Sequence, residues 1–148
     1  MLAGAAVLAA VAGCGKSKSS GEPKSSAPPP GASAASTVTV TEREFGITAD
    51  PPVVATGRVR VNVRNHGTLE HELVAFRTDL GETALPLGSD GNVDENGRGV
   101  THVEPEAEEV PPGGGKTMSL PLQPGRYVLV CNLPGHYKAG MHTVLTVR

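Results

Sequence analysis

The sequence has no tryptophan, and its aromatics stop at Phe45, Phe76, Tyr127 and Tyr137. No Lys/Arg cluster with interleaved aromatics occurs, and the formal net charge is only -2. Together these exclude a nucleic-acid partner. Long apolar runs are also missing. None reaches the roughly 18 to 20 residues that a helix needs to cross a bilayer. Uninterrupted helix-forming stretches are scarce, because 19 Gly and 13 Pro are spread along 148 residues. That many breakers disfavour a helical bundle and suit short strands joined by turns. Cysteine is limited to Cys14 and Cys131. A disulfide between them is one reading, but the context of each argues for a separate task.

Cys14 closes a short apolar stretch, Leu2 to Ala12, through Val11-Ala12-Gly13-Cys14. This resembles the apolar region of a secretory signal ending in a lipobox, where small residues let the extended chain enter a peptidase groove. The resemblance implies a signal peptide over 1–13, cleavage before Cys14, and a lipid anchor on the Cys14 sulfur. The basic stretch that opens such signals does not precede it, so translation is expected to start further upstream. Residues 14–36 then form a Ser/Pro-rich linker with no hydrophobic period and three lysines against one glutamate. Such a segment buries too little apolar surface to offset its ordering entropy. It reads as a disordered tether between a membrane surface and a folded domain at 37–148.

From Thr37 the pattern changes. Val38 and Val40 alternate with threonines, and Val59, Val61 and Val63 alternate with Arg58, Arg60, Asn62 and Arg64. Period two with one apolar face marks strands. Further strands are expected at 69–78, 116–122, 125–131 and 142–147, with a turn at Pro124-Gly125. Roughly seven strands without an amphipathic helix predict an all-β fold, a Greek-key antiparallel β-sandwich. Asp79 to Gly115 does not fit a strand ladder. Up to Glu109 it holds nine acidic residues against Arg98 alone, and it reads as a long insertion with a short helical turn near 83–85. The simpler interpretation is a solvated insertion that aids solubility; the other is an acidic lobe that orients a cationic redox partner.

Cys131, His136 and Met141 fall within eleven residues, Cys131-Asn132-Leu133-Pro134-Gly135-His136-Tyr137-Lys138-Ala139-Gly140-Met141. The cysteine ends one expected strand and the methionine precedes the next. Pro134-Gly135 and Gly140 let the loop fold back, so that thiol, imidazole and thioether share a centre. Soft sulfur donors with imidazole select copper, and a neutral thioether is a poor ligand for zinc or iron(II). A second imidazole is then required. His142 lies on the opposite strand parity from Met141 and is disfavoured. Of the remainder, His71 opens a strand at the end of the sandwich where the loop also lies. His66 belongs to a turn, and His102 sits in the insertion with no strand to hold it.

With Cys131, His136, Met141 and an upstream His71, the chain resembles the cupredoxins, closest to the rusticyanin, auracyanin and sulfocyanin group. The resemblance covers about residues 37–148. It implies a type 1 (blue) copper site with His71, Cys131 and His136 as equatorial ligands and Met141 as axial ligand. It also implies one-electron transfer between Cu(II) and Cu(I). Many cupredoxins carry Asn or Ser after the first histidine, tying the two ligand loops together; here that residue is Glu72. The Asn132 backbone N–H is expected to reach the Cys131 sulfur. His136 is expected near the surface, inside an apolar rim of Leu133, Pro134 and Tyr137.

The expected protein is a monomeric, extracytoplasmic electron carrier. It is anchored through its lipid to the outer face of the cell membrane, or held in the periplasm, and serves a cytochrome or an oxidase. The alternative is copper delivery without redox turnover, which commonly uses Met/His-rich tracts. Here the methionines are Met1, Met118 and Met141 alone. With no open ligand position and no second histidine cluster for a catalytic copper, no enzyme is expected. The unpaired Cys131 outside the cytoplasm is itself explained by metal ligation.

Overall fold

The structure, a computed structural model, describes residues 36–148. The signal peptide, Cys14 and nearly all of the linker lie outside the described residues. Nine strands and one short helix make up the described part. The first sheet has the order β2-β1-β4-β7 and contains β1 (Thr37–Arg43), β2 (Gly46–Asp50), β4 (Gly57–Asn65) and β7 (Gly115–Leu122). The second has the order β3-β9-β8-β5-β6. Its members are β3 (Val53–Val54), β5 (His71–Thr78), β6 (Val100–Val110), β8 (Gly125–Val130) and β9 (His142–Val147). The helix α1 is a single turn, His136–Ala139.

Alternation builds the space between the sheets. Val38, Val40, Val59, Val61 and Val63 point inward with 1 % exposure or less, and the threonines and arginines between them face out. Leu73, Leu120, Leu122, Tyr127, Leu129, Leu145 and Val147 come from the other strands to meet them. Burying each such aliphatic side chain stabilises the fold by roughly 1.5–3 kcal/mol. Tyr127 keeps its hydroxyl satisfied at the Gln123 backbone, accepting from N at 3.0 Å and donating to O at 2.9 Å.

The sheets are mixed rather than purely antiparallel. β1 pairs parallel with β4, and β3 parallel with β9. After the β1–β2 hairpin the chain crosses at Pro51-Pro52 to the second sheet and then returns beside β1. A strand that leaves and re-enters a sheet is free of the hairpin constraint and can pair in parallel.

The expected insertion is the largest departure. Its second half is the longest strand, β6, paired antiparallel with β5 from His71↔Val110 to Thr78↔Val100. Two register shifts interrupt that ladder, which hid the strand's period. The first half does not float in solvent. Leu85 and Val93 pack on Val74, Phe76, Val128, Val130 and Tyr137, forming a second, smaller core on the outer face of the second sheet. The short helical turn expected near 83–85 is a single hydrogen-bonded turn slightly earlier, Ala84 N to Gly81 O at 2.9 Å. Strand β8 is consequently buried on both faces from Tyr127 to Val130.

Candidate metal centre

Three donors converge at one end of the sandwich. His71 starts β5, Cys131 follows the last residue of β8, and His136 opens α1. Cys131 Sγ lies 3.2 Å from His136 Nδ1 and 3.8 Å from His71 Nδ1. The two imidazole rings stand 5.3 Å apart, nearly edge to face. His71 and Cys131 are fully buried, and His136 is half-buried. Met141 is fully buried and packs in the same core as Cys131. The remaining histidines stand elsewhere. His66 is exposed in the β4–β5 turn. His102 lies on β6, so a strand does hold it, but away from this group. His142 packs against Tyr137 at 5.5 Å on the other side of β9.

The loop carrying these donors is stapled by its backbone. Cys131 N donates to Met141 O at 3.1 Å, and Met141 N donates to His136 O at 3.1 Å. Gly135 and Gly140 bracket α1 at φ 82° and 113°, in the left-handed region that side chains avoid. A Cβ at Gly140 would also press on the Phe45 carbonyl at 3.3 Å.

The upstream side is equally fixed. Asn65, buried at the end of β4, donates to Leu69 O at 2.7 Å and Val110 O at 2.9 Å, and accepts from Gly67 N at 2.8 Å. Glu44 accepts from Thr68 N at 2.7 Å and Leu69 N at 2.6 Å. These bonds, with the Leu69 N–H leading, hold its carboxyl below the usual range. Glu44 Oε1 also lies 3.3 Å from His71 Nε2, off the line of a hydrogen bond, so that buried nitrogen has no partner.

The second contact to the sulfur differs from the sequence expectation. Glu72 N, not Asn132 N, reaches Cys131 Sγ, at 3.5 Å, and the Leu133 backbone assists. The Asn132 backbone N–H instead supports the Glu72 carboxylate. Glu72 therefore ties the two ligand loops together from the position where Asn or Ser was expected. It lines a cleft with Glu95, Glu106 and Asn132 rather than entering the donor group. Burial, with Glu106 adding repulsion, raises its carboxyl to about 7. The Asn132 side chain clamps the insertion, accepting from Val93 N at 2.7 Å and donating to Val93 O at 3.1 Å.

The expected rim also changes membership. Tyr137 is buried; its hydroxyl accepts from Leu85 N at 3.1 Å and donates to Glu82 O at 2.9 Å. Phe45 takes its place, 49 % exposed, with its ring 5.4 Å from His136. Nothing in the sequence around Phe45 marks that role except an isolated aromatic at a strand end.

The donor set fits copper. Burial pushes the Cys131 thiol up to about 11, so the metal-free sulfur keeps its proton, and copper binding there would supply the charge that stabilises the thiolate. Burial, with His71 adding to it, pushes the His136 ring down and keeps it a neutral donor. Among the described residues Cys131 has no disulfide partner.

A two-sheet β-sandwich with buried thiol, paired imidazoles and a thioether at one end defines a class, the cupredoxins, with one type 1 copper and one-electron transfer as their chemistry. Residues 51–148 match the sulfocyanin (SoxE) domain, and the chain belongs to that family. Solved structures agree on the fold. Reduced auracyanin from Roseiflexus castenholzii is 22 % identical with a TM-score of 0.55, covering 78 % of this chain and 99 % of its own. Auracyanin B is 21 % identical with a TM-score of 0.52, covering 78 % and 91 %. Azurin Az-iso2 from Methylomonas sp. strain J is 17 % identical with a TM-score of 0.51, covering 78 % and 99 %. No curated protein matches the chain by sequence.

Proposed function

We propose that the protein is a membrane-tethered, extracytoplasmic electron carrier whose copper is held by His71, Cys131 and His136, with Met141 as the weak axial ligand. The observation that carries the ligand assignment is the convergence of two Nδ1 atoms on one buried sulfur. Copper, when bound there, supplies a Cu(II)/Cu(I) couple that takes up and gives up one electron. The chain's part is to hold the donors still. His71 is fixed by β5, Cys131 and Met141 by their mutual backbone bond, and His136 by the glycine-bracketed turn. Glu72 N–H and the Leu133 backbone stabilise charge on the sulfur.

Electrons enter and leave through the half-buried edge of His136, inside a rim of Phe45, Leu133 and Pro134. A small apolar rim suits the brief, weak encounters of redox partners, a cytochrome or an oxidase. The protein works as a monomer and performs no substrate chemistry. Lipidation of Cys14 places it on the outer face of the membrane, the tether giving reach. The delivery reading is disfavoured by the burial of Cys131, His71 and Met141, since handover needs exposed donors.

Titration of the metal-free protein with Cu(II) tests the site. An intense blue thiolate-to-copper band is expected, lost in Cys131→Ala and His71→Ala and retained in His142→Ala. A colourless copper complex sinks the assignment. Detergent-phase partitioning of the expressed full chain, abolished by Cys14→Ser, tests the anchor separately.

A further inference from the structure

A second group of ligating side chains lies outside the copper site. One ligand atom each from Glu95, His102 and Glu106 come within 4.8 Å of one another, and all three residues are half-buried. His102 and Glu106 stand on β6, and Glu95 comes from the loop that precedes it. His102 Nδ1 is 3.7 Å from Glu95 Oε2 and 3.8 Å from Glu104 Oε1, and Nε2 is 2.8 Å from Glu106 Oε1. Two features argue against an ordinary histidine–carboxylate pair. The Nε2 atom is buried yet makes no hydrogen bond, because Glu106 approaches off the N–H···O line. The ring is also held in place from behind, 5.6 Å from Phe76 in the smaller core.

Among the described residues, His102 is the basic group set against these carboxylates. Glu72, Asp90, Asp94, Glu95 and Glu106 line one cleft of about 520 Å³, whose lining includes no Lys or Arg. Burial raises the Glu106 carboxyl, and the neighbouring Glu95 raises it further. Like charges gathered in a half-buried cleft are destabilising unless a cation joins them.

We propose that Glu95, His102 and Glu106 form a second metal site, taking a divalent first-row ion of borderline softness such as Zn²⁺. The imidazole argues against Ca²⁺ and Mg²⁺, which take oxygen ligands. The absence of sulfur argues against Cu(I). One nitrogen and two carboxylate oxygens make a three-ligand zinc set, with water entering from the open cleft as the fourth. A tetrahedral zinc with donors about 2.0–2.2 Å away holds them roughly 3.3–3.6 Å apart, so the three donors, now within 4.8 Å of one another, draw together when it binds. Its structural effect is to fasten the loop bearing Glu95 to β6. The site does not rest on the copper reading.

Zinc titration of the metal-free full chain by calorimetry at pH 7 tests this. Two sites are expected, one lost in Cys131→Ala and the other weakened at least tenfold in both His102→Ala and the near-isosteric Glu106→Gln. In the copper-loaded protein one zinc site should remain, with the blue band unchanged. Co²⁺ bound at that remaining site should give visible bands without a thiolate charge-transfer band. A single zinc, dependent on Cys131, overturns the proposal. So does a second zinc whose affinity both His102→Ala and Glu106→Gln leave unchanged.

Discussion

Glu42 stands in the core with no exposed surface and no hydrogen-bond partner for either carboxylate oxygen. Burial, with repulsion from Glu72, raises it to about 8 from 4.5. The fold keeps this carboxyl protonated over a range where the unfolded chain ionises it. Its contribution to stability is fully present below about pH 4.5, falls as pH rises toward 8, and is flat above. Glu42→Met removes the buried carboxyl and keeps the volume. In the metal-free protein it should stabilise more at pH 8.5 than at pH 5, by on the order of 3 kcal/mol. Equal gains at both pH values in denaturant titrations would refute this. Cys131 gives a second prediction. With the thiol raised to about 11 and the His136 ring pushed toward neutrality, copper uptake at pH 7.5 should release about one proton. Calorimetry in buffers of different ionisation enthalpy measures that number. Gly67 gives a third: a Cβ there would collide with the Glu44 carboxylate, which also supports Thr68 and Leu69. Gly67→Ala should push the Glu44 carboxylate off the Thr68 and Leu69 N–H groups, read as faster amide exchange at those two residues with little change in the denaturation midpoint.

At the level of elements, the hydroxyl of Tyr137 joins α1 to the Glu82–Leu85 turn, and Asn132 joins the ligand loop to Val93. Tyr137→Phe leaves a buried N–H and a carbonyl without a partner, costing about 1–3 kcal/mol. Faster amide exchange at Leu85 is the expected signature, with the Cys131 environment little changed. These elements also mark what was legible beforehand. The Val59–Val63 alternation and the Cys131–Met141 loop are local patterns, so strand and donor cluster could be read from spacing alone. His71 depended on placing a strand start at the right end of the sandwich. β6 was missed because its bulges break the two-residue period and its acidic residues look like loop. β3 is two residues long, too short to carry any period. The contacts of Glu72, Phe45 and Tyr137 depend on segments that meet only after folding, and no sequence pattern encodes them.

For the whole molecule, copper binding to buried donors that exist only in the fold is folding free energy. Metal-loaded protein should therefore melt well above the metal-free form, and chelation should reverse the difference. A different consequence follows from β6, which lies at one margin of the second sheet. Its outer backbone could template another chain, as any unpaired strand margin can. Here Pro105 removes one donor, and Glu104, Glu106, Glu108 and Glu109 put like charges along the strand. The opposite margin, β3, is two residues long beside Pro51-Pro52, and β7 carries Pro121 at a margin of the other sheet. The acidic strand that first looked like a solubility insertion thus guards against fibril-like stacking between copies.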